Sequence, residues 1–495
     1  MEAATARPLV APAGRGSGAK ASLATVALVL FLAVTLAGLA GVGGGLFPAV
    51  YVGAATVAAL AAYYRAPTRY PVFVFALWFF TPFVRRVVDL HHGFQPASLM
   101  LVAPTIATLV SGLTLLYRAR ELRGSLLYPF TLTLGGVFYA YFVGVLKVGT
   151  IPATYALLTW LAPIAFSMHL ILHWRIFPAL RESFLNFIQW ALPVVASYGL
   201  YQVAMLPAWD RYWMEVADVA SIGAPVRFGF RAFGSLNAPG PYSVVLLIGM
   251  IFLMSAARRG MVISLTLGLM SMLLTRTRAT WVALVVGLLV VQFMGPVRRM
   301  GRNWLFLIFM VAMAMPVMSL DVFRDTIFTR LASFANLSTD NSVRQRLIMT
   351  SASTQVIGAV AEGEGLGATG GATKLGSASG RQASIDNGFL EVFYVLGWPG
   401  GSLVMLGLLG QLLVLARFRD SRVDTFANAA RACFWALLSV LFIGDIFSGA
   451  IGVMFWGAYG FACSAHAYNY ATGKGLRSQQ LARDFPPGAL TSAPR

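Results

Sequence analysis

Residues 240–256, GPYSVVLLIGMIFLMSA, form an apolar run without one charged side chain. About 17–25 such residues cross a bilayer as helix, because the α-helix satisfies its own backbone polar groups where water is absent. The pattern recurs along most of the chain. Fourteen spans are predicted, at 22–41, 44–63, 70–84, 98–116, 126–146, 152–172, 184–206, 240–256, 260–275, 279–294, 303–319, 387–416, 432–447 and 451–470. The 495 residues are 58% hydrophobic and 11% charged, against about 25% charge in an ordinary soluble domain. The fold class expected is therefore an all-α polytopic membrane protein. It has a tail at 1–21, one multispan membrane domain at 22–470 and a second tail at 471–495. Arg7, Arg15 and Lys20 precede the first span, which lacks a small-x-small cleavage signal and reads as a retained helix.

Basic residues orient the bundle. With both termini inside, the inner segments carry 23 Lys and Arg and the outer segments 14, while acidic residues divide 6 inside and 12 outside. The positive-inside rule favours this arrangement. The net charge of +19 then reflects topology and anionic lipid. No nucleic-acid motif accompanies it.

This orientation puts four segments on the outer face: the loops 85–96 and 207–239, the junction 276–278, and the long loop 320–386. A connection as long as the last is uncommon unless it binds or gates. Its first part has apolar residues at helical spacing. Its second part, 362–380, is rich in Gly, Ala and Ser and reads as flexible. Where that loop returns to the membrane stands IDNGFLEVFYVLGWPGG (385–401), with Asp386 and Asn387 at the rim. A carboxylate there is costly to bury and marks a candidate site. It is also a good N-cap for the helix that follows.

TRTRATWVAL (275–284) places Arg276 and Arg278 at the same face, and NSVRQRLIMT (341–350) adds Arg344 and Arg346. A guanidinium grips phosphate by bidentate, charge-assisted hydrogen bonds. The plainer readings are an interfacial anchor for the first pair and a solvated helix face for the second. Cys433 and Cys463 fall within predicted spans and make no disulfide framework. His91 and His92 lie outside as interfacial polar residues. No HExxH pair and no Walker loop occurs, so neither a zinc hydrolase nor a P-loop ATPase is indicated.

In order along 233–401, four segments resemble the O-antigen ligase and Wzy-type polysaccharide polymerase superfamily. FGSLNAPGPYSVVLL is similar to its Gly-x-x-x-Asn-Pro segment, through Gly234 and Asn237 with Pro239 displaced by one. TRTRATWVAL resembles its Thr-x-Ser-Arg element and sets the arginine at Arg278. RQRLIMTSAS followed by GEGLG (363–367) resembles the Arg-Leu helix and glycine turn of the large periplasmic loop. Asp386-Asn387, nine residues and Gly397-Trp398-Pro399-Gly400 match the ligase spacing, with Asp in place of His. Thr350 stands where an aromatic residue often follows Arg346. The Asp moves the reading from ligase toward polymerase.

The resemblance implies a glycosyltransferase of the multispan GT-C-like kind in a bacterial inner membrane, with its active site facing the periplasm. It implies glycosyl transfer from a polyprenyl-pyrophosphate-linked glycan donor to an acceptor hydroxyl on a glycan or lipid. Asp386 would be the base, and Arg278 and Arg346 would stabilise the departing pyrophosphate with Arg276 and Arg344 as helpers. Asn387, Asn237 and Glu391 would contact substrate, although for Glu391 an intrabundle hydrogen bond is the leading reading. Neither a cofactor nor a metal is required. Polysaccharide export proteins and chain-length regulators are the partners such an enzyme implies. Glycines 397–401 with Pro399 are expected to break the twelfth span. Ligation onto lipid A core, a lipid-linked oligosaccharide flippase and a scaffold of an export complex are the alternatives. Against a carrier, no repeated half with matching broken segments stands out.

Overall fold

The computed structural model describes residues 17–121, 126–217, 221–256, 260–295, 360–375, 387–418 and 423–473, with Val219, Arg258, Ile385 and scattered positions within 301–315. Among these residues the regular elements are helices, and the β pairing is one isolated antiparallel bridge, Gly223 with Phe230.

The helices run α1 Ser17–Leu39, α2 Phe47–Arg65, α3 Tyr70–His92, α4 Ala103–Leu109, α5 Leu113–Arg118, α6 Tyr128–Lys147, α7 Thr150–Leu172 and α8 Phe177–Met205. There follow α9 Ala208–Ala217, α10 Pro239–Ala256, α11 Met261–Leu274, α12 Arg278–Met294, α13 Gly388–Arg417, α14 Thr425–Val440 and α15 Gly449–Ala471. Seven helical stretches are long and apolar enough to cross a membrane: Gly44–Arg65, Tyr70–His92, Leu99–Arg118, Tyr128–Lys147, Thr150–Leu172, Pro239–Ala256 and Gly388–Arg417. The pair Trp174–Met205 and Ala208–Ala217, bent by 76°, makes an eighth if taken as one span. The chain is a helical multi-pass membrane protein. The expected spans near 22–41, 260–275 and 279–294 are shorter apolar helices, Leu23–Leu39, Met261–Leu274 and Arg278–Met294. The span expected at 303–319 lies outside the continuously described residues.

Small residues let the helices approach. Gly400 of α13 packs on the backbone of Gly136 in α6, and Gly407 meets Pro129 and Thr133 further along the same pair of helices. Gly460 of α15 packs on Ser167 of α7 in the same way. In lipid, where burial of apolar area drives helices together only weakly, such close backbone packing carries the association. An aromatic cluster joins α8, α10 and α15, with the Phe184 ring centroid 4.8 Å from that of Phe461 and 4.9 Å from that of Phe252. Cys433 and Cys463 are buried in α14 and α15 as free thiols.

Two sequence expectations change. The third span does not stop at 84: α3 continues to His92, so Arg85, Arg86 and both histidines are helical and not part of a loop. The continuation is possible because a fully buried ion pair takes up the charge of Arg86, whose Nε donates to Asp210 at 2.7 Å. Likewise α14 ends at Val440, and 441–448 is a turned connection holding Asp445, not the end of a span.

Candidate functional site

The break in α13 builds the site. Gly397 has φ 65° and ψ −178°, a conformation reserved for glycine, so the helix is interrupted there, as expected from Pro399 and the surrounding glycines. The interruption frees the carbonyls of Tyr394 and Val395 and the amide of Trp398. Residues 361–365 take them up: Glu364 N donates to Tyr394 O at 2.9 Å, Gly365 N to Val395 O at 2.9 Å, and Trp398 N to Ala361 O at 2.9 Å. Leu366 N then donates to Ala140 O of α6 at 2.9 Å. Broken helices at membrane depth survive only where protein pairs the freed groups. The strap 360–375 does so here, and the flexible reading of 362–380 is corrected for its described part. Lys147 at the end of α6 fastens the strap by donating to Gly363 O at 2.7 Å and Glu362 Oε1 at 3.1 Å. The carboxyl of Glu362 is held below the usual range by its own backbone amide and then by Lys147.

Two cavities open beside the strap. The first, about 410 Å³, is walled by α7, the strap, the N-terminal turns of α13 and the 441–449 connection. It is lined by two carboxylates, Glu391 and Asp445, together with Trp160, Thr159 and several glycines. Thr369 Oγ1 of the strap donates to Glu391 Oε1 at 2.8 Å. Asp445 accepts from Phe447 N at 2.7 Å and from Ser448 Oγ at 2.5 Å. Burial pushes the Asp445 carboxyl above its ordinary value, against the lowering effect of these donors. The second cavity, about 670 Å³, is larger and more apolar, and is lined by Arg85, Lys374, Asn237, Trp213 and residues 96–99, 101 and 102. Tyr155 and Gly371 line both. A cavity with two carboxylates and a mostly apolar one with Lys374 and the Asp89-paired Arg85 thus meet at a shared wall, at the end of the bundle where α3 and α6 finish and α7, α10 and α13 begin.

The sequence-predicted residues divide into three groups. Glu391 lines the first cavity and Asn237 the second. Asn387 is the N-cap of α13, its Oδ1 accepting from Leu390 N at 3.1 Å. The capping expected of Asp386 therefore falls to its neighbour. Arg276 and Arg278 are half-buried at the α11–α12 junction and line neither cavity. Arg276, at φ 53°, donates to Phe228 O at 3.0 Å. The junction is itself tied to 207–239 by Arg231, which donates to Thr275 O at 2.9 Å and Thr277 Oγ1 at 3.0 Å. Asp386, Arg344 and Arg346 lie outside the described residues, although Ile385 and Gly388, on either side of Asp386 in sequence, line the first cavity.

Sequence reading missed Asp445, Arg85 and Lys374. The signal for the first was an acidic residue inside the apolar run LFIGDIFSG (441–449), hidden by assigning the run to two abutting spans. It also missed how Asn237 is held. Arg86, fully buried on α3, donates to Asn237 Oδ1 at 3.2 Å, to Gly234 O at 2.5 Å and to Leu236 O. Tyr198 and Gln202 complete the hub by donating to Asp210 Oδ2 at 2.6 and 2.8 Å. The segment 234–237 is thereby pinned at the cavity wall. Among the described residues no group of three or more His, Cys, Asp or Glu could hold a metal ion.

Fold and site together define a multi-pass helical membrane protein with an acidic cavity adjoining a mostly apolar one at one end of its bundle. Compared with known proteins, the chain matches no family model, no curated protein and no solved structure.

Proposed function

We propose that the protein is a bacterial inner-membrane glycosyltransferase of fourteen spans and GT-C-like architecture, with cytoplasmic termini and a periplasm-facing site. It joins oligosaccharide carried on a polyprenyl pyrophosphate to an acceptor hydroxyl, as a polymerase in exopolysaccharide or O-antigen biosynthesis. The observation that carries this reading is the adjoining of the two cavities at Tyr155 and Gly371. Carboxylates suit an acceptor hydroxyl, and cations suit a pyrophosphate whose charge grows as it leaves. The larger cavity is also apolar enough to accept the first isoprene units of a lipid. Lys374 and Arg85, the latter already ion-paired with Asp89 at 3.0 Å, are the basic side chains lining it among the described residues. The resemblance adds Arg278 and Arg346, with Arg276 and Arg344 as helpers, as the arginines that would meet the pyrophosphate. Asp in place of the ligase histidine at 386 favours polymer extension over transfer to lipid A core.

The test is chain extension by purified protein given polyprenyl-pyrophosphate oligosaccharide. Asp386→Asn and Arg278→Ala are expected to lose at least tenfold in rate. Unchanged polymer formation in both variants would remove these residues from the site, and its absence in the wild type would remove the reading.

A further inference from the structure

The acidic cavity has a composition that selects its ligand. Among the described residues lining it none is Lys or Arg, and two carboxylates face it, so an anion is repelled and a donor of hydrogen bonds is attracted. Both carboxylates are oriented by the bonds described above: Glu391 is held by Thr369, and Asp445 by Ser448 and the Phe447 amide. The Asp445 carboxylate offers about four lone-pair sites, more than Ser448 and the Phe447 amide take up, which leaves room for a hydroxyl. Trp160, held stacked on Phe447 with 5.6 Å between ring centroids, supplies an apolar wall. Gly370, Gly444 and Gly449 leave open space where side chains would stand. Donor-seeking oxygens, an aromatic wall and a volume of about 410 Å³ fit a neutral sugar residue.

We propose that the acceptor sugar binds in this cavity and that Asp445 receives the proton of its attacking hydroxyl. The inference rests on the glycosyl-transfer reading and moves the base from Asp386 to a residue that sequence reasoning passed over. In the step, the acceptor oxygen bonds to the anomeric carbon of the donor. The bond from that carbon to the pyrophosphate oxygen breaks and its electron pair leaves with the lipid pyrophosphate. The hydroxyl proton passes to the Asp445 carboxylate. Burial, which raises the proton affinity of this group, suits it to the task. Glu391 on α13 and Tyr155 on α7 are the other titratable groups lining the cavity among the described residues. Glu391 positions the sugar through a second hydroxyl.

The experiment compares wild type, Asp445→Asn, Asp445→Glu and Asp386→Asn in lipid nanodiscs. The assay is chain extension from polyprenyl-pyrophosphate oligosaccharide across a range of pH. Asp445→Asn keeps one oxygen for the Phe447 amide and turns its NH2 to Ser448 Oγ, which can accept, and is expected to lose on the order of 100-fold in rate, in line with removal of a general base. Donor affinity should stay within twofold and Asp445→Glu should recover part of the rate. A wild-type rate and pH profile in Asp445→Asn, beside a loss in Asp386→Asn, overturns the assignment and leaves the transferase reading standing. No glycosidic bond made by the wild type overturns both. Should Asp445→Asn fail to fold, carbodiimide labelling of wild-type Asp445 decides. Protection by acceptor oligosaccharide without donor supports the proposal, and equal labelling with and without it refutes it.

Discussion

The amide of Gly365 donates to the carbonyl of Val395 across 2.9 Å, which ties the strap 360–375 to a helix at the point where that helix is broken. Gly365 sits at φ 84°, and a Cβ there would collide with the backbone of Gly144. Strain at such a position costs roughly 1–3 kcal/mol before any clash is counted. Gly365→Ala is therefore expected to lower the thermal midpoint by several degrees in detergent and to raise hydrogen exchange across 361–366. Unchanged exchange there would mean that the strap does not depend on this geometry.

Arg86 and Asp210 should behave as a unit. Both side chains are fully buried, and removing one partner leaves an uncompensated charge, at a cost of about 3–5 kcal/mol. Arg86→Met and Asp210→Leu are each expected to destabilise strongly. Arg86→Met with Asp210→Leu should recover a substantial part of the loss. Additive losses in the double variant, measured by thermal unfolding, would contradict the coupling.

Gly444 offers a way to fill the acidic cavity without disturbing the fold. Nothing lies within 4 Å of a Cβ built on it. Gly444→Leu should leave the thermal midpoint within a degree or two and reduce turnover at least tenfold. Full turnover with the cavity occupied would show that substrate goes elsewhere.

The Asp445 carboxyl gives stability a pH dependence of defined sign. Its folded pKa is raised by burial, so the folded state binds the proton more tightly than the unfolded chain does. The stability this contributes is fully present below the ordinary carboxylate pKa of about 3.9. It is lost as pH rises through the elevated folded value. Thermal midpoints of Asp445→Asn should lack this fall. A parallel pH profile in wild type and variant would place its origin in another group.

The class of fold was legible in the sequence because bilayer thickness imposes a run length, and uncharged runs such as 240–256 meet it. The break at Gly397 was legible for a similar reason, since glycine and proline in an apolar run have a local meaning. Boundaries set by long-range pairing were not. The third helix runs past Arg85 and Arg86 because both are paired, Arg85 with Asp89 one turn on and Arg86 with Asp210, distant in sequence. The order of 362–375 was equally hidden: its glycines read as freedom locally, whereas Gly363, Gly365 and Gly367 press against the backbones of Gly397, Gly144 and Pro152. Of the residues lining the two cavities, Asn237 stood out through its motif and Glu391 through its place one turn into the helix after Asp386. Asp445 became visible only when the turn carrying it was seen to close a cavity.

The most direct measurement is product analysis after reconstitution of the wild-type protein in sealed liposomes with polyprenyl-pyrophosphate-linked oligosaccharide. The account predicts glycans of two or more repeats joined by new glycosidic bonds, with one polyprenyl pyrophosphate released per bond, detected by mass spectrometry. Movement of the lipid-linked oligosaccharide across the bilayer with its length unchanged would contradict it.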